Sequence, residues 1–193
     1  MRTSTSLTDP IRVDFIAREE LPGQGRLGLT LAPGKRGYSS VRSVFHDRDL
    51  SADLSRLRDI YRCDTLVSLM ESFEYQDAQI PNLFEEVEAL GIGVLALPIR
   101  DVNVPRPDQA DAFTELVAQI NQRLSAGATV IVHCLGGVGR SGVVASAVLV
   151  SHGHAPDRAI AAVRAARPGA VETTEQEQYV FDFAAGIAGA EHA

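Results

Sequence analysis

"VIVHCLGGVGRSG", residues 130–142, places one of the chain's two cysteines at the lip of a glycine-rich turn, with an arginine six positions later. The run before it, "ATVIVH" (128–133), is apolar, β-branched and of strand length; residues 141–152 after it read as an apolar helix. Strand, tight loop and helix in this order decide the fold, because the same alternation extends outward on both sides. Upstream lie strand candidates "RLGLTLA" (26–32), "TLVSLM" (65–70) and "IGVLALPI" (92–99). Between them stand helices expected at 50–61, with Leu50, Leu54, Leu57 and Ile60 as its apolar stripe and Ser51 or Asp49 at its cap, and at 80–91, with Pro81 in the first turn. A long amphipathic helix at 108–125 carries the stripe Phe113, Leu116, Val117, Ile120 and Leu124. Helices at 156–166 and 174–187 follow. The expectation is an α/β fold: a central, mostly parallel sheet flanked by helices, with the cysteine loop at the carboxyl end of a strand, where such sheets bind ligands.

The remaining segments read as connections. "IRVDFI" (11–16) pairs with 26–32 as a hairpin or edge pair, and "PGKRGYSS" and "ESFEYQDAQ" are expected to be loops. Of 193 residues, 45% are apolar and 22% charged, ordinary for one globular domain. The net charge of −7 argues against a broad basic surface for nucleic acid or anionic lipid. No run reaches the roughly 18 apolar residues of a membrane span. The polar start "MRTSTSLTDPIRVDF" lacks a signal peptide's apolar centre, and two cysteines are too few for a disulfide scaffold, so a reducing cytoplasm is expected. Arginine outnumbers lysine 17 to 1.

The chemistry lies in the loop. A cysteine between a strand end and a helix start has its sulfur among backbone N–H groups and the positive end of a helix dipole, which favours the nucleophilic thiolate. Gly136, Gly137 and Gly139 free the backbone to turn its N–H groups around one anion. Arg140 enters where its planar fork can hold two oxygens of a phosphoryl group. A Walker loop is excluded, since no lysine follows the glycines. With so many arginines, a Cys-x5-Arg spacing alone carries little; His133, the three glycines, Ser141 and the strand–loop–helix setting make it specific.

"HCLGGVGRSG" resembles the signature loop of cysteine-dependent protein phosphatases of the tyrosine and dual-specificity superfamily, most of all the cyclin-dependent kinase-associated type. "LGLTLAPGKR", "IPNLFEEVEALGI", "LPIRD" and "RPGAVETTEQEQYV" extend the resemblance over most of residues 26–185. It implies a phosphatase domain at 26–193, preceded by an extension, 1–25, in which an edge strand can form. It also implies Cys134 as nucleophile through a phosphocysteine, and Leu135, Gly136, Gly137, Val138, Gly139 and Arg140 as the phosphate cradle. Ser141 would assist the sulfur's departure, and His133 would support the thiolate through backbone contacts or serve only as a bonded core histidine.

The reaction also needs an acid for the leaving oxygen. Asp101 and Asp108 share one loop; Asp108, after Pro107 and ahead of the 108–125 helix, reads as an N-cap, which leaves Asp101 as the favoured acid. "ETTEQEQ" resembles the segment that supplies a water-positioning glutamine, pointing to Gln176 with Glu172 nearby, yet Thr173 and Gln176 equally fit a capping box. Lys35, Arg36, Arg100 and Arg106 either reach substrate or are surface charges. Cys63, ahead of the 65–70 strand, is expected on the order of 20 Å from the catalytic rim and so structural.

The expected function is therefore a metal- and cofactor-free protein phosphatase acting on phosphotyrosine and on phosphoserine or phosphothreonine, with a phosphorylated protein as substrate and a kinase or phosphoprotein as the kind of partner implied. Nucleic acid and membrane are not expected partners. The rivals are a phosphoinositide or small-molecule phosphatase, a non-catalytic phosphate-binding module and, remotely, an arsenate reductase. The uncharged loop from Leu135 to Gly139, with Glu71, Glu74 and Asp77 expected at the rim, argues against a polyanionic substrate. His152 and His154 have no carboxylate nearby in sequence with which to form a metal site.

Overall fold

The computed structural model describes residues 2–39 and 44–190. The chain runs β1 (Arg2–Ser4), β2 (Asp14–Phe15), β3 (Arg26–Thr30), β4 (Arg36–Ser39), β5 (Val44–Asp47), α1 (Leu50–Asp59), β6 (Thr65–Ser68), α2 (Ser72–Asp77), α3 (Leu83–Ala89) and β7 (Gly93–Ala96). It continues through α4 (Ala110–Ser125), β8 (Thr129–His133), α5 (Gly139–Ser151), α6 (Pro156–Ala166) and α7 (Thr174–Ala190). Short 3-10 turns lie at Arg18–Glu20 and Pro107–Gln109.

The main sheet has the order β2-β3-β8-β6-β7, with β3, β8, β6 and β7 mutually parallel and β2 antiparallel at one edge. Alternation along the inner strands sorts their side chains onto two faces. Val130, Val132, Leu27, Leu29, Val67 and Leu69 join the larger core with α4, α5, α6 and α7. Ile131, Leu66 and Met70 join the smaller one with Leu54 and Leu57 of α1 and Leu83 and Val87 of α3. All five stripe residues of α4 are buried. Because β8 lies between β3 and β6, with His133 paired to Thr30 and Ser68, the loop after it opens at the carboxyl edge of the sheet's centre.

Several expectations need correction. "ESFEYQDAQ" holds the helix α2, opened by reciprocal capping between Glu71 and Glu74, and too short to show a period. "PGKRGYSS" contains β4, which with β1 and β5 forms a separate three-stranded sheet in the order β1-β5-β4. Asp49, not Ser51, caps α1 by accepting a bond from the Ala52 amide, and Ile60 lies beyond that helix, exposed. Pro81 precedes α3, whose N-cap is Asn82. Asp108 caps nothing: Arg106 and Gln109 bracket the 3-10 turn, and Asp108 is an exposed partner of Arg106.

Residues 11–21 are packed, with Ile11, Val13, Ile16 and Leu21 buried. The small sheet is fastened by a buried ion pair. Arg48 holds both carboxylate oxygens of Asp53 at 2.7 and 2.9 Å and also donates to Ser4 Oγ and the Asp9 carbonyl. Asp53 in turn accepts from the Gly34 amide, fixing the turn that presents Lys35 to the sheet's carboxyl edge.

Candidate active site

β8 delivers Cys134 into a nearly closed position, 3% exposed. The Gly137 amide donates to its sulfur at 3.2 Å, and Ser141 Oγ lies 3.8 Å away. The glycines do different things. Gly137 has φ +69, and a side chain there would run into the Thr30 carbonyl; one at Gly139 would strike Glu172 and Gln176; Gly136 has open space. The expectation that all three supply unusual backbone angles therefore narrows to Gly137. Leu135 and Val138 complete the loop, and α5 begins at Gly139.

Arg140 is 1% exposed and thoroughly engaged. Its Nη1 donates to Glu74 Oε2 at 2.6 Å and to the Ile99 carbonyl at 2.9 Å, while Nη2 meets Glu74 Oε1 at 2.9 Å and Asp101 Oδ1 at 2.6 Å. Nε is buried and has no partner among the described residues. Glu74 thus grips the Nη1–Nη2 edge of the guanidinium, with Asp101 also on Nη2. Burial alone would lower this group's pKa; Glu74, Cys134 and Asp101 around it raise it instead, so the charge is permanent.

Of the two acid candidates, only Asp101 reaches the loop's arginine, and its side chain remains 53% exposed. The residue after it, Val102, has φ +62, a costly conformation for a β-branched side chain. Asn103 holds the turn by donating to the Asp101 carbonyl while its own carbonyl accepts from Gln176 Nε2. Gln176 is buried. Its amide donates to Thr173 Oγ1, its Oε1 accepts from the Glu172 amide and not from that of Thr173, and its side chain lies against Gly139.

Behind the loop stands Arg167, donating to the carbonyls of Gly136 and Gly137 and anchored at 2.5 Å by Asp14 of β2. Holding the carbonyls outward helps turn the loop's amides inward. His133 is fully buried; Nδ1 lies 3.4 Å from the Cys134 carbonyl, and burial pushes its pKa down to about 4, so it is neutral near pH 7. Lys35 is 8% exposed and shares a recess with Asp101, Glu74 and Leu135; burial lowers its pKa against the opposing pull of Cys134, Asp101 and Glu74. It is not a surface charge. Arg36 is one, paired with Asp47, and Arg106 pairs with Asp108. Both cysteines are free; Cys63 is packed in the smaller core with its thiol pushed up to about 12, chiefly by burial.

Sequence reasoning missed Glu74, Asp14, Asn103 and Arg167. Glu74 was expected as a rim charge repelling polyanions; it is instead buried under Arg140. No local pattern marks Asp14 or Arg167, whose contacts span more than a hundred residues.

A parallel sheet with this loop at its centre defines a cysteine-dependent phosphatase architecture. The chain belongs to the PTP-SAK family, the Swiss Army Knife type of DSP-PTPase phosphatase domain, whose family model matches residues 47–180. It is accordingly a cysteine-based enzyme of the dual-specificity protein phosphatase class. It is 28% identical over 177 residues to human cyclin-dependent kinase inhibitor 3, covering 90% of this chain and 79% of the relative. Its fold matches a solved kinase associated phosphatase, carrying serine for the catalytic-site cysteine, with a TM-score of 0.81 at 24% identity, over 92% of this chain and 96% of that one. Tk-PTP in its active form is 29% identical with a TM-score of 0.64, over 90% and 96% of the two chains.

Proposed function

We propose that this phosphatase hydrolyses phosphotyrosine, together with phosphoserine or phosphothreonine, on proteins through a phosphocysteine on Cys134. The observation that carries the reading is the convergence on one sulfur of the Gly137 amide and the Ser141 hydroxyl, with the charge of Arg140 nearby and Asp101 paired to it. The phosphoryl group is held by loop amides from Leu135 to Gly139 and by Nε and Nη2 of Arg140. The Cys134 thiolate attacks phosphorus in line; the bond to the leaving oxygen breaks, and Asp101 gives that oxygen a proton. Asp101 must release Nη2 of Arg140 to do so, and its exposure allows the swing. In the second half, a water held by Gln176, with Glu172 nearby, attacks phosphorus. Asp101 takes its proton, the S–P bond breaks, and Ser141 donates to the departing sulfur. His133 keeps the Cys134 backbone in place.

The sequence needs neither metal nor cofactor. The names of the human relative and of the matched kinase associated phosphatase support a phosphorylated kinase, or another phosphoprotein, as substrate or partner. Among the described residues no helix is long and apolar enough to cross a membrane; the cytoplasmic location is part of the proposal. Turnover of p-nitrophenyl phosphate tests the proposal: it is expected to persist in excess EDTA and to vanish with orthovanadate or in Cys134→Ser. Loss on chelation, restored by a divalent metal, overturns it.

A further inference from the structure

Lys35 is the chain's only lysine, and its backbone is fixed on both sides. β3 runs parallel to β8 with Thr30 beside His133, and two residues on the Ala32 amide still donates to the Leu135 carbonyl, so the chain leaving β3 follows the signature loop. It then turns sharply. The Lys35 amide donates to the Ala32 carbonyl, the Gly34 amide to Asp53, and the Lys35 carbonyl accepts from the Arg48 amide. Arg48 is itself locked on Asp53, and a side chain at Gly34 would run into Leu50. The turn therefore sends the Lys35 side chain into a recess of about 300 Å³, which it lines with Glu74, Asp101 and Leu135, the first residue of the cradle.

The other buried cations of the described residues are paired. Arg48 holds Asp53, and Arg140 holds Glu74 and Asp101. Lys35 is 8% exposed and has neither a hydrogen bond nor an ion pair among the described residues. Burying an ammonium without a partner is costly, and a fold keeps such a group where a ligand neutralises it. The neighbours show which ligand that is. Arg140 alone faces Glu74, Asp101 and, in the reacting enzyme, the Cys134 thiolate, so a dianionic phosphoryl group entering the cradle would meet an excess of negative charge.

We propose that Lys35 is a second phosphate-binding cation of the catalytic site: from the recess its ammonium holds the phosphoryl oxygens that Arg140, engaged by two carboxylates, does not neutralise. The proposal rests on the phosphatase reading above and adds a residue to its machinery. A guanidinium binds as a fixed two-pronged fork, whereas an ammonium is a compact point charge on a flexible stem. Lys35 can therefore follow the phosphoryl oxygens as phosphorus passes from the leaving oxygen to Cys134 and then to water, while Arg140 stays in the grip of Glu74.

The test uses the full chain carrying Cys134→Ser, so that no thiol titrates and binding is read without turnover. Its affinity for sulfate, a dianion of fixed charge, is measured by calorimetry from about pH 6 to 10, the range below the ordinary lysine value. Burial lowers the Lys35 pKa against the pull of Cys134, Asp101 and Glu74, and the protonated ammonium is the binding form, so affinity should fall as pH rises through that range. Adding Lys35→Met or Lys35→Gln should weaken sulfate binding at neutral pH by about 10- to 100-fold, the worth of one hydrogen bond to a charged group, and flatten the fall. The other charged and titratable groups on the recess are Arg36 and Tyr38 of β4, Glu74 and Asp77 of α2, Asp101 after β7 and Arg140 of α5; all are common to the three chains, so the difference between curves belongs to Lys35. The melting temperature should hold or rise in Lys35→Met, because an unpaired buried charge has gone. Sulfate affinity within about twofold of the parent in both variants, or the same pH slope in all three chains, overturns the proposal. Turnover of p-nitrophenyl phosphate with Cys134 intact separates it from the reading it rests on. Lys35→Met should lower kcat/KM by about 10²-fold, the order seen on removing one donor from an oxyanion site. Equal kcat/KM in parent and variant sinks the role of Lys35 and leaves the phosphatase standing; a parent that binds sulfate through Lys35 but hydrolyses nothing sinks the phosphatase and leaves Lys35 as an anion ligand.

Discussion

The two flanks of the signature loop are built differently. In front, towards substrate, charged side chains converge from distant parts of the chain: Lys35, Glu74 and Asp101, with Arg140 at their centre. Behind, the loop is braced through its backbone by Arg167, which donates to two carbonyls and is itself held by Asp14. The front supplies charge that must meet and release a phosphoryl group. The rear supplies shape, which need not change during the reaction. Damage to the front should therefore appear in chemistry and damage to the rear in affinity for the phosphate.

The sharpest break is at Arg140. Arg140→Lys should be nearly as inactive as Arg140→Ala, because an ammonium cannot fill both the Glu74 grip and a two-oxygen contact to phosphate. Near-normal kcat/KM for the lysine variant would reduce Arg140 to a general positive field.

Next in size is Asp101→Ala. It should lower kcat by about 10²–10⁴ on peptide substrates, the usual span for a general acid, and by less when the leaving group is already acidic. The basic limb of the kcat profile should flatten with it. Asp108→Ala should change kinetics little and melting temperature little, since Asp108 is an exposed partner of Arg106 and not a cap. A silent Asp101 with a crippled Asp108 would move the acid seven residues along.

The front and rear can be set against each other directly with Glu74→Gln and Asp14→Asn. Glu74 is 5% exposed and removing its charge takes away the two-pronged partner of a buried guanidinium; Asp101 and two backbone carbonyls still engage that group, so the stability loss should exceed that of Asp14→Asn and fall below the roughly 3–5 kcal/mol of a fully uncompensated buried charge. Asp14 is 37% exposed, so Asp14→Asn should cost under about 1 kcal/mol and should weaken vanadate binding modestly by loosening Arg167. Equal effects from the two, read by chemical denaturation and vanadate titration, would erase the distinction.

A pH dependence is expected at His133, confined to acid solution. Its folded-state pKa is depressed to about 4 from 6.5, so the unfolded chain takes up a proton that the folded chain refuses. Its share of stability is whole above about pH 6.5 and is lost as pH falls towards 4, about 3 kcal/mol in all. His133→Gln should remove that slope from the difference between the two denaturation curves; parallel curves would mean that His133 protonates freely in the fold.

What was legible in the sequence follows the range of the forces involved. The stripe of α4, the alternation of β8 and the Cys–Arg spacing are local periods, and the chain reads them out residue by residue. Asp49 capping α1 was one of two neighbouring options that only geometry separates. Helix α2 spans six residues and β4 four, lengths at which no period can establish itself, so neither stands out from loop in the sequence. Glu74 was misjudged for a related reason. A carboxylate in a polar stretch is usually solvated, and nothing near it in sequence announces the arginine 66 positions away that makes its burial favourable. Arg167 and Asp14, 153 residues apart, show the same limit at the rear of the loop.

The most direct measurement is a rapid acid quench of the enzyme during turnover of p-nitrophenyl phosphate, followed by mass spectrometry of the peptide containing Cys134. The account predicts a phosphoryl group on Cys134, absent in Cys134→Ser, formed fast enough to be on the pathway and longer-lived in Gln176→Ala, where the attacking water is no longer held. Full turnover with no phosphoryl group on Cys134 at any quench time, or turnover retained in Cys134→Ser, would contradict it.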